Sequence, residues 1–136
     1  MARPKAPASL PFRRVRTLLF AGALAMLGCS DEAPVSGPGT MTATLAGPGG
    51  PEGAAVVELL GPGLAGITAV GGVDLYAEVD AKGARVVLIH ATGGELAFLV
   101  AVPDTTEPPA WVVRQVAGPD DALRPDLSRY AVEFSR

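Results

Sequence analysis

Cysteine is almost missing: Cys29 is the single one in the chain. A lone thiol cannot close an intramolecular disulfide, so any exported domain built from this chain must be held by its core alone. Histidine is as scarce, and His90 has no second imidazole with which to form a zinc site or a catalytic pair. No serine stands in a G-x-S-x-G elbow, and no glycine-rich stretch is followed by Lys-Ser or Lys-Thr, which removes the usual signals of covalent hydrolases and phosphate loops. Long apolar runs are missing too. The most apolar stretch, residues 18–27, falls short of the roughly 20 helical residues that a bilayer core requires. Aromatic residues make up only 5 % of the chain, fewer than a surface of several coplanar sugar-stacking rings would use.

What the N-terminus does contain is ordered by chemistry. Arg3, Lys5, Arg13, Arg14 and Arg16 come first with no acid among them, residues 18–27 are uncharged and apolar, and the small Gly28 precedes Cys29. That is the layout of an export signal. Without residues 1–28, six basic residues face all 14 acidic ones and the remainder sits near −8. Such a charge, with no cluster of Lys and Arg, repels phosphate backbones and excludes a nucleic acid partner.

The stretch "AMLGC" resembles the lipobox of bacterial lipoproteins, with Met26 and Leu27 where that pattern usually carries leucine and a small or β-branched residue. The resemblance implies that Cys29 is lipidated and becomes the mature N-terminus, so that the chain is bound to a membrane through its acyl groups. One acyl chain holds marginally, at about 0.8 kcal/mol per methylene, and several hold persistently. Ser30 directly after the cysteine implies, by the same resemblance and in a Gram-negative host, the outer membrane. The expected location is therefore the cell envelope, facing the periplasm or the exterior. Residues 29–39 read as lipidated cysteine plus flexible tether, since "SDEAPVSGPG" offers almost nothing to bury.

Residues 40–136 are long enough for one modest core. Eight apolar stretches lie there, at 41–46, 54–60, 66–70, 73–79, 85–91, 95–102, 111–117 and 130–135, and each separator holds a turn residue. Their shortness and their Val, Ile and Thr content predict strands. In "ELAFLVAV" Leu96, Phe98, Val100 and Val102 share one face; in "YAVEFS" Tyr130, Val132 and Phe134 do the same. "RVVLI" is apolar on both sides, as a central strand is. The expected class is all-β, an antiparallel β-sandwich of about seven to eight strands. The order of "GAAVVELLGPG", "GITAV", "ARVVLIHATGGELAFLVAVP" and "YAVEF" is similar to immunoglobulin-like, cohesin-type sandwich modules, and "VVRQVAGPDDALRPDLSRYAVEF" resembles small lipoproteins of high-GC bacteria.

The remaining chemistry is thin. His90 reads as a solvent-facing residue at a strand end, and Glu58, Glu78, Glu95 and Glu133 as solubilising acids. Asp120, Asp121 and Asp126 crowd the loop 119–129 and offer oxygen ligands that calcium accepts, in a spacing that matches no EF-hand; Arg124 and Arg129 stand among them as counter-charges. The same loop is expected to form a helical turn at 119–123, with Leu123 and Leu127 under the sandwich. Trp111 reads first as a core residue. The functional expectation is a non-enzymatic lipoprotein without cofactor or metal, binding a protein partner or assisting envelope assembly; the alternative is a carbohydrate-binding module using Trp111 and Tyr76.

Overall fold

The computed structural model describes residues 33–136. Cys29 and the expected signal segment 1–28 lie outside the described residues. Eight strands follow the apolar stretches: β1 Gly39–Ala46, β2 Glu52–Leu60, β3 Ala65–Ala69, β4 Asp74–Asp80, β5 Gly83–Gly94, β6 Ala97–Val102, β7 Ala110–Ala117 and β8 Ala131–Ser135. The expected ends shift by a residue or two except at β5, which runs on to Gly94 through "ATGG". There Ala54 of β2 faces Ile89 while Glu52 faces Gly94, so residues 90–93 of β5 arch over a single residue of its neighbour. Such a bulge hides strand from a reading based on composition, because its glycines look like a turn.

The strands form two antiparallel four-stranded sheets, ordered β3-β6-β1-β8 and β4-β5-β2-β7. This is the expected all-β sandwich. Alternation decides what each strand buries: Met41 and Ala43 of β1 and Phe98, Val100 and Val102 of β6 face Val57 and Leu59 of β2 and Val86 and Leu88 of β5. Each of these side chains larger than alanine, removed from water, contributes about 1.5 to 3 kcal/mol before the entropy of ordering it is subtracted. β5 is indeed central and apolar on both faces, with Arg85 as its one charge. Val132 is buried and Phe134 packs against the same core.

The antiparallel order sorts the connections to two ends. The near end gathers the start of β1, the end of β8, the β2–β3, β4–β5 and β6–β7 connections; the far end gathers residues 47–51, 70–73, 95–96 and 118–130. The chain arrives from its N-terminus at the near end, where Gly37 is fastened to the β6–β7 loop: its N–H donates to Asp104 Oδ1 (3.2 Å) and its carbonyl accepts from Thr105 N–H (2.9 Å). Arg136 Nε donates to the Thr105 carbonyl at 3.1 Å, so both termini of the domain are held together there.

At the far end the loop 118–130 departs from expectation. It is a series of turns with no helical turn at 119–123. Gly118 N–H donates to the Ala122 carbonyl (3.0 Å) and Leu123 bridges Ala117, so the loop folds back beside β7 instead of under the core. Leu123 is therefore 64 % exposed, whereas Leu127 does pack against the core. Asp120 and Pro119 begin this turn: the aspartate carboxylate accepts the Ala122 N–H at 3.3 Å, a local bond that competes with helix.

Candidate binding surfaces

The far end is organised by one buried acid. Glu52 opens β2 and is only 5 % exposed. Tyr130, immediately before β8, donates its hydroxyl to Glu52 Oε1 at 2.5 Å, and Arg124 Nε donates to Glu52 Oε2 at 3.0 Å. Both carboxylate oxygens are thus used, which is what makes burial of this charge tolerable. Arg124 is placed by its own backbone, its N–H donating to the Val116 carbonyl at 2.8 Å. Burial, reinforced by the hydrogen bond to Glu52, pushes the Tyr130 phenol above its usual value, while Arg124's own bond to the other Glu52 oxygen raises Arg124. The β1–β2 turn closes over the pair because it is glycine: a Cβ on Gly47 would run into the Tyr130 ring, and one on Gly49 into Glu52 Oε1.

Beside this network lies an open cavity of about 460 Å³, lined by Gly47, Gly50, Glu52, Gly94, Glu95 and Tyr130 among others. Its lining mixes the polar Glu52, Glu95 and Tyr130 with Leu45, Pro51 and Leu96. A lining of this kind suits a ligand or a protein loop tip that carries both polar and apolar groups. A carboxylate holding both Tyr130 and Arg124 is a structural anchor that ties β2 to the loop 118–130.

His90 differs from expectation. It is half-buried on the inner side of β5, packed against Gly72 and Gly94, and its Nδ1 is buried without a hydrogen-bond partner. The bulge after it carries the strand away, so the residue is enclosed where a plain strand end would have left it in water. Asp126 accepts the Ser128 N–H at 2.9 Å and is held below the ordinary carboxylate range by the bonds from Ser128. Arg124 serves Glu52 rather than these loop acids. Among the described residues no group of three or more His, Cys, Asp or Glu side chains is close enough to hold a metal ion.

Trp111 and Tyr76 are not brought together. Tyr76 stands on the outer face of β4, one edge of its sheet, and is 65 % exposed. Trp111 is on β7, the opposite edge; it pairs with the buried Leu59 and so points to the inner side, where its ring remains 37 % exposed at the rim. Trp111 is therefore not part of the core cluster: it is the first inward position of an edge strand, at the near-end rim of the sheet. The two rings offer no common stacking platform.

Tyr76 belongs instead to a broad outer face. Across β4, β5, β2 and β7 the outward residues form rows: Asp74, Ile89, Ala54 and Ala117; Tyr76, Val87, Val56 and Gln115; then Glu78, Arg85, Glu58 and Val112. Arg114 is the residue added at a bulge of β7, and it donates to Glu58 Oε2 from Nε at 2.8 Å and from its terminal nitrogen at 2.7 Å. That bond, ahead of the nearby Arg85 charge, holds Glu58 below the ordinary range. The two apolar rows frame a shallow hollow of about 150 Å³ that includes Ile89, Val56 and Leu123.

Neither Glu52 nor this face is legible as a site in the sequence. Glu52 sits in "GPGGPEG", which reads as a solvated turn, and its partners are 72 and 78 residues away. No family model, curated protein or solved structure matches this chain.

Proposed function

We propose that the chain is an exported, lipid-tethered and non-enzymatic module of the bacterial cell envelope that binds a protein partner or helps assemble the envelope. The reading of the N-terminal 29 residues supports the tether: a basic segment, an apolar run too short to span a membrane, and Gly28 ahead of Cys29. The observation that carries the binding role is polarity along the sandwich. The chain arrives at the near end, clamped at Gly37 by Asp104, while the cavity bounded by Glu52, Glu95 and Tyr130 opens at the far end. A domain moored by its near end presents the far end outward, and the tether of about ten residues adds roughly 20 to 30 Å of reach.

The test has two arms. Labelled fatty acid is expected to enter the wild-type protein and not Cys29→Ala; equal labelling, or none in either, removes the tether. A photo-crosslinker at Glu95 is expected to give one discrete adduct in intact cells, and the same group at Thr106, on the near end, none. Adducts from Thr106 alone reverse the polarity of the proposal.

A further inference from the structure

The outer face of the β4-β5-β2-β7 sheet carries a pattern that is complementary to itself. Its charged row reads Glu78, Arg85 and Glu58 and ends on Val112 of β7, with the Arg114 guanidinium reaching Glu58 from the neighbouring bulge. Consider a two-fold axis lying in this face, parallel to the strands and midway between β5 and β2. It exchanges β5 with β2 and β4 with β7 while keeping every row at its own height. Arg85 of one copy then faces Glu58 of the other, twice in the pair, and Glu78 comes over Val112 beside the Arg114 that is bonded to Glu58. The row above matches as well: Val87 meets Val56, and Tyr76 lies over the Gln115 amide. In the next row Ile89 meets Ala54, a large residue against a small one. Glu78 and Arg85 form no ion pair within their own chain among the described residues, which leaves both available.

We infer that this face is an interface between two copies of the chain, packed sheet to sheet about that two-fold axis. The adjacent base and acid, Arg85 on β5 and Glu58 on β2, choose a second copy over other occupants, because the axis that exchanges these two strands sets each charge against its opposite twice. The axis also runs along the strands, so it leaves both near ends pointing the same way. Both chains thus leave the dimer toward one surface, as two molecules moored to a single membrane must. The inference goes beyond the reading of the far end and needs neither lipid nor an outside ligand.

Size sets the strength. Four strands at about 4.8 Å spacing and seven residues at about 3.3 Å give a face of roughly 19 by 23 Å, or about 900 Å² counted over both copies. That is below the roughly 1,200 to 2,000 Å² of stable complexes, so the dimer is weak in dilute solution and is reinforced where tethers confine the chains.

Charge reversal tests it with the full chain in non-denaturing detergent, by sedimentation equilibrium up to about 1 mM, the range in which an interface of this size associates. Wild type is expected to reach a reversible dimer. Arg85→Glu places acid against acid twice per dimer, and Glu58→Arg places base against base, so each alone is expected to lose association by at least about tenfold. Mixed together the two variants pair with each other: the acid introduced in one meets the base introduced in the other, and the unchanged Glu58 of the first meets the unchanged Arg85 of the second. The double variant R85E/E58R regains self-association. Glu133→Arg, on the outer face of the other sheet, leaves the dimer unchanged. Circular dichroism of each variant checks its strands, and the recovery on mixing cannot come from misfolded chains. A wild type that stays monomeric, single variants that associate like wild type, or a mixture that fails to pair each overturns the interface.

Discussion

The two ends of the sandwich solve the same problem with different chemistry. Each must fasten a long connection to strands distant in sequence. At the near end Asp104 does it in water: its Oδ1 accepts the Thr106 hydroxyl at 2.6 Å, the Thr106 N–H at 2.8 Å and the Gly37 N–H at 3.2 Å. At the far end Glu52 does it in the interior, with Tyr130 and Arg124 as donors. An exposed clamp can open and be re-solvated at little cost, whereas a buried one leaves a desolvated charge behind when it breaks. The difference teaches which end is built to yield. The near end is held by exchangeable bonds, and the far end is held by bonds that must all be present together.

The core between the ends fixes the scale against which the comparison can be broken. Phe98→Ala, at a position 1 % exposed, is expected to lose about 3 to 5 kcal/mol in chemical denaturation, more than any change at either end. Tyr130→Phe should come next, at about 1 to 3 kcal/mol, because one Glu52 oxygen is left buried without its donor; a loss no larger than that of an exposed tyrosine would make the far clamp as soft as the near one. pH separates the ends by sign. Tyr130 has a folded value raised above the ordinary 10.0, so its stabilisation is present below that pH and is lost as pH rises through the raised value. Asp104 is lowered from 3.8, first by the Thr106 hydroxyl and then by the backbone donors, so its contribution is present above 3.8 and is lost as pH falls through the lower folded value. Amide exchange followed across pH should therefore loosen residues 37 and 106 in acid and residues 127–130 in strong alkali. Asp104→Ala should reproduce the acid effect at neutral pH, with faster exchange at Gly37 and Thr106 and little change at Tyr130. The smallest effect is expected at Asp121, which holds a φ of 61° in the far loop; Asp121→Gly relieves that left-handed strain and should stabilise by at most about 1 kcal/mol in thermal melts.

The strands are readable because their signals are local. Alternation in "ELAFLVAV" assigns Phe98 and Val100 to the interior without reference to any other strand, and the doubly apolar "RVVLI" announces a central position that β5 does occupy. The same locality misleads wherever a side chain's surroundings come from elsewhere. His90 reads as a wet strand end, yet the arch at 90–93 and Gly72 enclose it. Leu123 reads as a lid, yet backbone bonds between Gly118 and Ala122 turn it outward. Trp111 reads as a core residue, yet the sheet order places β7 at an edge and leaves its ring at the rim.

By itself, then, the amino-acid order determined where the chain extends, where it turns, and which side of each ribbon avoids water, since these follow from spacing over a few residues. Tertiary structure alone decided which acid is buried, which aromatic rings share a surface, and that Glu78, Arg85 and Glu58 line up in one row. Those outcomes depend on sheet order and register, which are fixed by packing between segments tens of residues apart and so leave no mark in any short window.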